Sequence, residues 1–355
     1  MAYIKLENVS VGYDKNKNIL NDFSLEINKG DFVSLLGPSG CGKTTTLKTI
    51  IGFLKVKEGK LLINDKLYNN IPSHKRNFGM VFQNYALFPH LTVFNNVAFG
   101  LKMRKIEKSE IMKRVMSAIK MVGLKGFENR LSVNLSGGQQ QRVGIARAIV
   151  IEPDLLLMDE PLSNLDANLR IEMRSEIRKI QKKLGITTIY VTHDQSEAIA
   201  LSDTITVMNK GKIEQQGNTE NIYYKPQTPF VATFMGFQEM ARGKIEELSE
   251  EYAFINVEGK IIKSKRSKKV KINQKGIVFT RQKNLVLEKE ERENTIIGKV
   301  KSKIFQGDSI LYMIQINNEE VVKAEIEVHK ALWNEDEKVY LKLNPDLCMA
   351  FNEEE

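Results

Sequence analysis

The sequence predicts an α/β domain built on a largely parallel sheet, followed by a small all-β domain. Three observations carry this expectation. Up to about residue 235, short apolar runs alternate with helical patterns, as successive βαβ units require. The near-continuous apolar run Phe32-Val33-Ser34-Leu35-Leu36 leads directly into a glycine-rich loop and a helix pattern. Beyond Gly243 the long helical patterns stop, and short alternating runs replace them.

The elements follow in order. Ile4–Val9 and Phe23–Ile27 alternate like half-buried strands, and Gly12-Tyr13-Asp14-Lys15-Asn16 between them is turn chemistry. Phe32–Leu36 reads as a strand buried on both faces. Thr45–Ile51 opens a helix, and Leu61–Ile63 is a further strand. Ser109–Val122 has helical spacing without Pro or Gly; Gln139–Ile151 is helical and stops before Pro153. Leu155–Met158 is a second buried strand. Leu169–Leu184 is a charged amphipathic helix ended by Gly185, and Thr187–Thr192 and Thr204–Asn209 are strands. The boundary is expected in Phe237–Gly243. After it, Ala253–Val257, Gly276–Phe279, Ile297–Ile304, Ile310–Ile316 and Glu320–Ile326 read as strands.

The 355-residue chain is 42% hydrophobic and 27% charged, which suits a soluble protein of two or three domains. It holds no apolar run of about 18 residues, so no segment is expected to span a bilayer. The N-terminal Met-Ala-Tyr-Ile-Lys-Leu-Glu alternates like a strand and lacks the charged and apolar regions of a signal peptide, which predicts a cytosolic location. Cys41 and Cys348 are the two cysteines, too few and too far apart for a zinc site or a disulfide scaffold, and are expected as reduced thiols. The net charge of +9 is spread along the chain. One local run stands out: Lys260, Lys263, Lys265, Arg266, Lys268, Lys269, Lys271 and Lys275. It reads as a solvated β-hairpin or as a contact for anionic lipid. No aromatic platform accompanies it, which argues against nucleic acid.

Gly37-Pro38-Ser39-Gly40-Cys41-Gly42-Lys43-Thr44 fits the phosphate-loop pattern at each fixed position, with a strand before it and a helix after it. The glycines let successive N–H groups point inward at phosphate oxygens, and the helix N-terminus adds a favourable dipole. Residues Gly37 to Thr45 are therefore candidates for nucleotide contact. Lys43 is placed to reach the β- and γ-phosphates, and Thr44 to ligate Mg²⁺. Asp159 and Glu160 leave the C-terminal end of the second buried strand, where open α/β sheets bind ligands. Asp159 is the candidate to hold Mg²⁺, directly or through water, and Glu160 the candidate to take a proton from the attacking water. Ser136, Gly137, Gly138 and Gln139 open another helix and form a second anion site. A phosphate loop already serves the nucleotide in its own chain. The second site is best used on the nucleotide of a neighbouring copy, so a two-fold homodimer is expected.

This order of motifs closely resembles that of the ATP-binding subunits of ABC transporters, over residues 1–236. The resemblance implies an ABC ATPase fold with a helical subdomain at about 84–150, and ATP and Mg²⁺ as ligands. Tyr13 matches the aromatic residue that stacks on adenine. Gln83, in Val81-Phe82-Gln83-Asn84-Tyr85-Ala86-Leu87-Phe88-Pro89, matches the glutamine that contacts Mg²⁺ and the attacking water. Asp166 matches the D-loop residue, and His193 the histidine that contacts the γ-phosphate. The implied partners are a second copy and integral membrane permease subunits contacted through Tyr85–Pro89, with an extracytoplasmic solute-binding protein acting indirectly. The implied location is the cytoplasmic face of the membrane, peripherally bound.

Glu220–Gly236 resembles the junction in importer ATPases of the maltose, spermidine/putrescine, iron(III) and phosphonate type. That implies an OB-like regulatory domain over 237–355. Two departures are visible. The chain has Arg281-Gln282-Lys283 where the family often has Arg-Pro-Glu, and Asn164 where alanine is commoner. An exporter motor is disfavoured by the β-rich C-terminal domain. A soluble ABC ATPase of translation or DNA repair is disfavoured by the single cassette and the absence of sustained heptads. The solute, whether iron(III), a polyamine, a phosphonate or other anion, or a sugar, is not written in these motifs.

Overall fold

The computed structural model describes residues 2–14, 17–316 and 320–353, so Lys15 and Asn16 of the expected first turn lie outside the described residues. The chain divides into two compact units, Met1–Thr219 and Glu220–Glu355.

In chain order the first unit holds β1 (Ala2–Val11), β2 (Leu20–Asn28), β3 (Phe32–Leu36), α1 (Lys43–Ile51), β4 (Glu58–Ile63), β5 (Lys66–Leu67) and β6 (Phe78–Val81). There follow α2 (Val93–Met103), α3 (Lys108–Met121), α4 (Gly137–Ile149), β7 (Leu155–Asp159), α5 (Ala167–Leu184), β8 (Thr187–Thr192), α6 (Gln195–Leu201), β9 (Thr204–Asn209) and β10 (Lys212–Asn218). Six strands form one sheet in the order β10-β9-β3-β8-β7-β6. It is parallel except for β10, which runs antiparallel to β9. All residues of β3 and β8 are buried, as central strands covered on both faces must be. One core packs Val33, Leu35, Leu157, Ile189 and Val191 with α1 and the antiparallel sheet β2-β1-β4-β5. A second core joins Phe32, Val81, Met158 and Tyr190 to the apolar sides of α2, α3, α4 and α5.

Register brings the motifs to one edge. Leu36 stands beside Thr192 and Val207, and Asp159 beside Val191. The residues that follow these strand ends are Gly37, Glu160 and His193, so three distant segments emerge together.

Three helices start two residues before the positions expected from apolar spacing: α1 at Lys43, α4 at Gly137 and α5 at Ala167. Side-chain caps set the starts of α4 and α5. Ser136 and Asp166 accept hydrogen bonds from the first-turn N–H groups of Gln139 and Leu169. The segments β6, α2, α6 and β10 were not expected; all are short or lack a clean period.

The second unit takes up α7 (Thr219–Tyr224) after its first residue and holds α8 (Pro229–Phe234), then runs through β11 (Phe237–Leu248), β12 (Tyr252–Val257), β13 (Lys260–Arg266), β14 (Lys275–Arg281) and β15 (Val286–Glu288). It continues with β16 (Thr295–Phe305), β17 (Ser309–Ile316), β18 (Glu320–Glu327), β19 (Lys338–Lys342) and β20 (Met349–Asn352). A closed five-stranded barrel, β11-β12-β13-β20-β14, stands beside a five-stranded sheet, β15-β19-β16-β17-β18, over one shared core. Phe237–Gly243, expected as a domain boundary, is instead the first part of the long strand β11. In the basic run, Lys260 pairs with Glu291, Lys265 with Asp346 (3.5 Å) and Lys275 with Glu353 (3.8 Å). Lys263 sits over the Tyr252 ring at 4.2 Å. Much of that charge is therefore matched within the unit, and Lys268, Lys269 and Lys271 are exposed on the connection from β13 to β14.

Arg281 fastens α7 and α8 to the barrel. Its guanidinium lies 3.6 Å from the Tyr223 ring centre and 3.9 Å from that of Phe237. It donates to the carbonyl oxygens of Tyr223 (2.6 Å) and Met235 (3.3 Å). Burial pushes its pKa down. Arg281→Leu strands two carbonyls and removes both ring contacts. It is expected to destabilise this unit by about 2–4 kcal/mol. Trp333, the single tryptophan, is buried in the same unit and reports its unfolding in denaturant. An unchanged Trp333 midpoint would contradict this role.

Candidate functional site

The glycine-rich loop is shaped by close backbone approach. A Cβ on Gly37 would stand 2.3 Å from the Met208 carbonyl oxygen, so only glycine fits there. Gly42 caps α1 with φ 106°. The Lys43 side chain is buried, and its ammonium donates to the carbonyl oxygens of Gly37 (2.7 Å) and Pro38 (2.9 Å), which places a positive charge inside the loop. The far end of α1 is held by Arg76, a residue that motif reading missed. Its guanidinium donates to the carbonyls of Thr49 (3.2 Å), Ile50 (2.5 Å), Tyr68 (2.7 Å) and Ile71 (2.8 Å). No spacing signal marks it; only the fold brings it beneath the helix. Tyr13 is 56% exposed, and Lys48 of α1 reaches both its hydroxyl (3.4 Å) and its ring face (5.6 Å), so an open aromatic face stands near the loop's helix.

Thr44 and Asp159 meet across the sheet edge, with the hydroxyl donating to the Asp159 Oδ1 at 3.0 Å. Burial raises the Asp159 pKa, against the lowering effect of the Thr44 hydrogen bond. Glu160 adopts φ 43°, a left-handed backbone uncommon outside glycine. Its N–H is held by the Val191 carbonyl (3.0 Å), and its carbonyl accepts from the Ser163 hydroxyl (2.9 Å). This turn aims the side chain at His193, whose Nδ1 lies 3.3 Å from the Glu160 Oε2. The Asn164 amide donates to the Gln83 carbonyl (3.0 Å), tying the segment after β6 to the turn after Glu160.

Beyond Gln83 the chain makes a tight excursion. Tyr85 and Ala86 both have positive φ, and the Arg147 guanidinium clamps both of their carbonyls at 2.7 Å. Asn96, fully buried, accepts from the Phe88 N–H and donates to the Phe88 carbonyl, fixing the next turn.

Ser136 and Gln139 form a reciprocal cap at the start of α4. The Ser136 hydroxyl accepts from the Gln139 N–H (3.4 Å), and the Gln139 side chain accepts from the Ser136 N–H (3.1 Å). These residues line an open cleft with Phe127, Arg142 and Leu169. Among the described residues, no hydrogen bond or ion pair joins Ser136–Gln139 to Gly37–Thr45. The structure thus brings together Lys43, Thr44, Asp159, Glu160, His193 and the Gln83 backbone, and leaves Ser136–Gln139 facing elsewhere. Asp166, the cap of α5, accepts from the Leu169 N–H (2.9 Å).

Comparison with known proteins matches residues 20–163 to the ABC transporter family and residues 271–351 to the TOBE domain. An iron(III) ions import ATP-binding protein, FbpC of Fusobacterium nucleatum, is 43% identical over 99% of this chain and 94% of its own length. The chain belongs to the ATP-binding proteins of ABC transporters. A spermidine/putrescine import ATP-binding protein, PotA of Acetivibrio thermocellus, is 48% identical over 86% of this chain and 84% of its own. Among solved structures, the dimeric ABC cassette MJ0796 in a post-hydrolysis state with ADP and Pi aligns at TM-score 0.54 and 32% identity, covering 61% of this chain and 98% of that one. This ABC ATPase therefore joins a P-loop fold to a separate TOBE unit. Among the described residues, no helix is long and apolar enough to cross a membrane.

Proposed function

We propose that this ABC ATPase is the motor of an importer. Two copies clasp ATP, and the motion is passed to separate permease subunits at the cytoplasmic face of the membrane. The observation that carries the reading is the separation of two anion-binding groups: Lys43 and its loop in one place, the Ser136–Gln139 cap in another. A two-fold dimer lets each chain offer the first to one ATP and the second to the other.

In this reading Gly37–Thr45 cradle the phosphates, Tyr13 stacks on adenine, and Ser136–Gln139 with Asp166 complete the cage from the partner. The paired Thr44 hydroxyl and Asp159 carboxylate are hard oxygen donors of the kind Mg²⁺ takes, with Gln83 as a third candidate. Mg²⁺ would neutralise charge on the β- and γ-phosphates. Glu160 takes the proton from the attacking water, and His193, beside it, is placed to contact the γ-phosphate. Positioning and charge stabilisation supply most of the rate in such a reaction.

Docking to a permease is supported by the rigidly clamped Tyr85–Pro89 turn. It is supported further by exposed apolar side chains on the neighbouring helices, Phe99 and Met103 on α2 and Met112 and Met116 on α3. Relatives of similar identity serve different solutes, iron(III) in one and polyamines in another, which supports selection of cargo by the permease and an extracytoplasmic binding protein. The test is reconstitution in liposomes with the permease and binding protein. ATP-driven movement of solute from the binding-protein side is expected; movement only in the opposite direction would establish an exporter instead.

A further inference from the structure

Behind His193 lies a charge network that the reading above does not use. Arg170 and Arg174 stand one turn apart on α5, the helix capped by Asp166. They face two carboxylates: Asp194, directly after His193 and the cap of α6, and Glu197, in the first turn of α6. The Asp194 Oδ2 lies 3.4 Å from Arg174 and 3.6 Å from Arg170. The Glu197 Oε1 lies 3.8 Å from Arg170 and 3.9 Å from Arg174.

The ends of this network are pinned tightly. Glu197 is only 3% exposed, and its Oε2 accepts from the Tyr190 and Thr192 hydroxyls, both at 2.8 Å on the strand that delivers His193. Asp194 accepts from the Ser196 hydroxyl (2.6 Å) and N–H (2.7 Å). At the other end Arg170 donates to the Leu165 carbonyl (3.0 Å), the residue before Asp166. The middle is bridged by longer contacts, among them a hydrogen bond from Arg174 to the Asp194 Oδ2. The arginine–carboxylate distances exceed the roughly 2.8 Å of a closed charge-assisted hydrogen bond, and the buried Nε atoms of Arg170 and Arg174 have no hydrogen-bond partner.

We infer that Arg170, Arg174 and Glu197 are positioning residues that hold the Leu165–Asp166 turn and His193 in one register, so that a second copy pressing on the turn adjusts the histidine at this chain's own ATP. The inference rests on the two-copy reading above and adds to it a physical route between the two nucleotide sites. Glu197, whose carboxylate is buried at a junction of β8, α5 and α6, is a costly group merely to fill space, and the two partly buried arginines with Asp194 surround it. Their attachment to the residues flanking Asp166 and His193 gives them a use.

The test is a coupling cycle on the full-length chain, with kcat and KM for MgATP measured for Arg170→Lys, Glu197→Gln, His193→Ala and the two double variants. Lys keeps the charge of Arg170 but cannot span both carboxylates and the Leu165 carbonyl. Gln keeps the shape of Glu197, so one variant remains informative if the other folds poorly. Each of the two network variants is expected to lower kcat by about tenfold or more while KM changes less than about twofold. In the His193→Ala background each is expected to cost less than about twofold more. Losses that multiply in the double variants would overturn the link. If His193→Ala alone leaves turnover intact, the histidine's own role falls and the link falls with it, an outcome told apart by the single variant.

Discussion

Glu160→Gln is expected to lower ATP turnover by roughly 10²–10⁴-fold while ATP still drives two chains together. The geometry makes this substitution unusually clean. Gln keeps the size of Glu160 and can still meet His193, 3.3 Å away. The backbone that aims the side chain is held by the Val191 and Ser163 contacts, which do not involve the carboxylate. Proton acceptance and the carboxylate's negative charge are lost, while the side chain's size and position are kept. Size-exclusion chromatography with MgATP is expected to show a species of doubled mass that persists, because the step that opens the dimer has been slowed. Turnover within about threefold of the native rate would remove Glu160 as the base.

Ser136→Ala is expected to divide binding from turnover. An isolated chain is expected to bind MgATP with native affinity, since no contact joins Ser136 to the phosphate loop of its own chain. Turnover is expected to fall by about 10²–10³-fold, the usual cost of deleting one donor aimed at developing charge. The lost cap accounts for only about 1 kcal/mol of α4 stability, so a folded protein with intact monomer affinity and poor turnover locates the defect between chains. Equal losses in monomer affinity and in turnover would place Ser136 in the cis site and contradict the shared cage.

The parallel sheet was legible because β3 and β7 are near-continuous apolar runs and each leads directly into a chemically marked segment, the glycine-rich loop after Leu36 and Asp159-Glu160 at the end of β7. The phosphate loop was legible because its glycines are demanded by backbone contacts such as that of Gly37 with Met208. Helix starts were misplaced where a cap, not an apolar residue, sets the first turn, as at Ser136 and Asp166. Phe237–Gly243 was expected as a boundary because the long helical patterns stop there and short alternating runs follow. Pairing with β14 makes it strand, a long-range effect that local pattern does not carry. Arg76 and Arg147 gave no signal, and Arg281 stood out only as part of a departure from the family's pattern, not as an anchor. Each guanidinium binds backbone carbonyls, and the carbonyls it needs are assembled only by the fold. The Arg170–Glu197 network was equally silent, since four charges on two helices read as solvated faces until their packing is known.

The measurement that bears most directly on the shared cage is ATP turnover per chain as a function of protein concentration, with molar mass followed by light scattering on the same samples. Turnover per chain is expected to rise with the dimer fraction and to vanish as the protein is diluted to monomer. Constant turnover per chain in samples that scatter only as monomer would contradict the account.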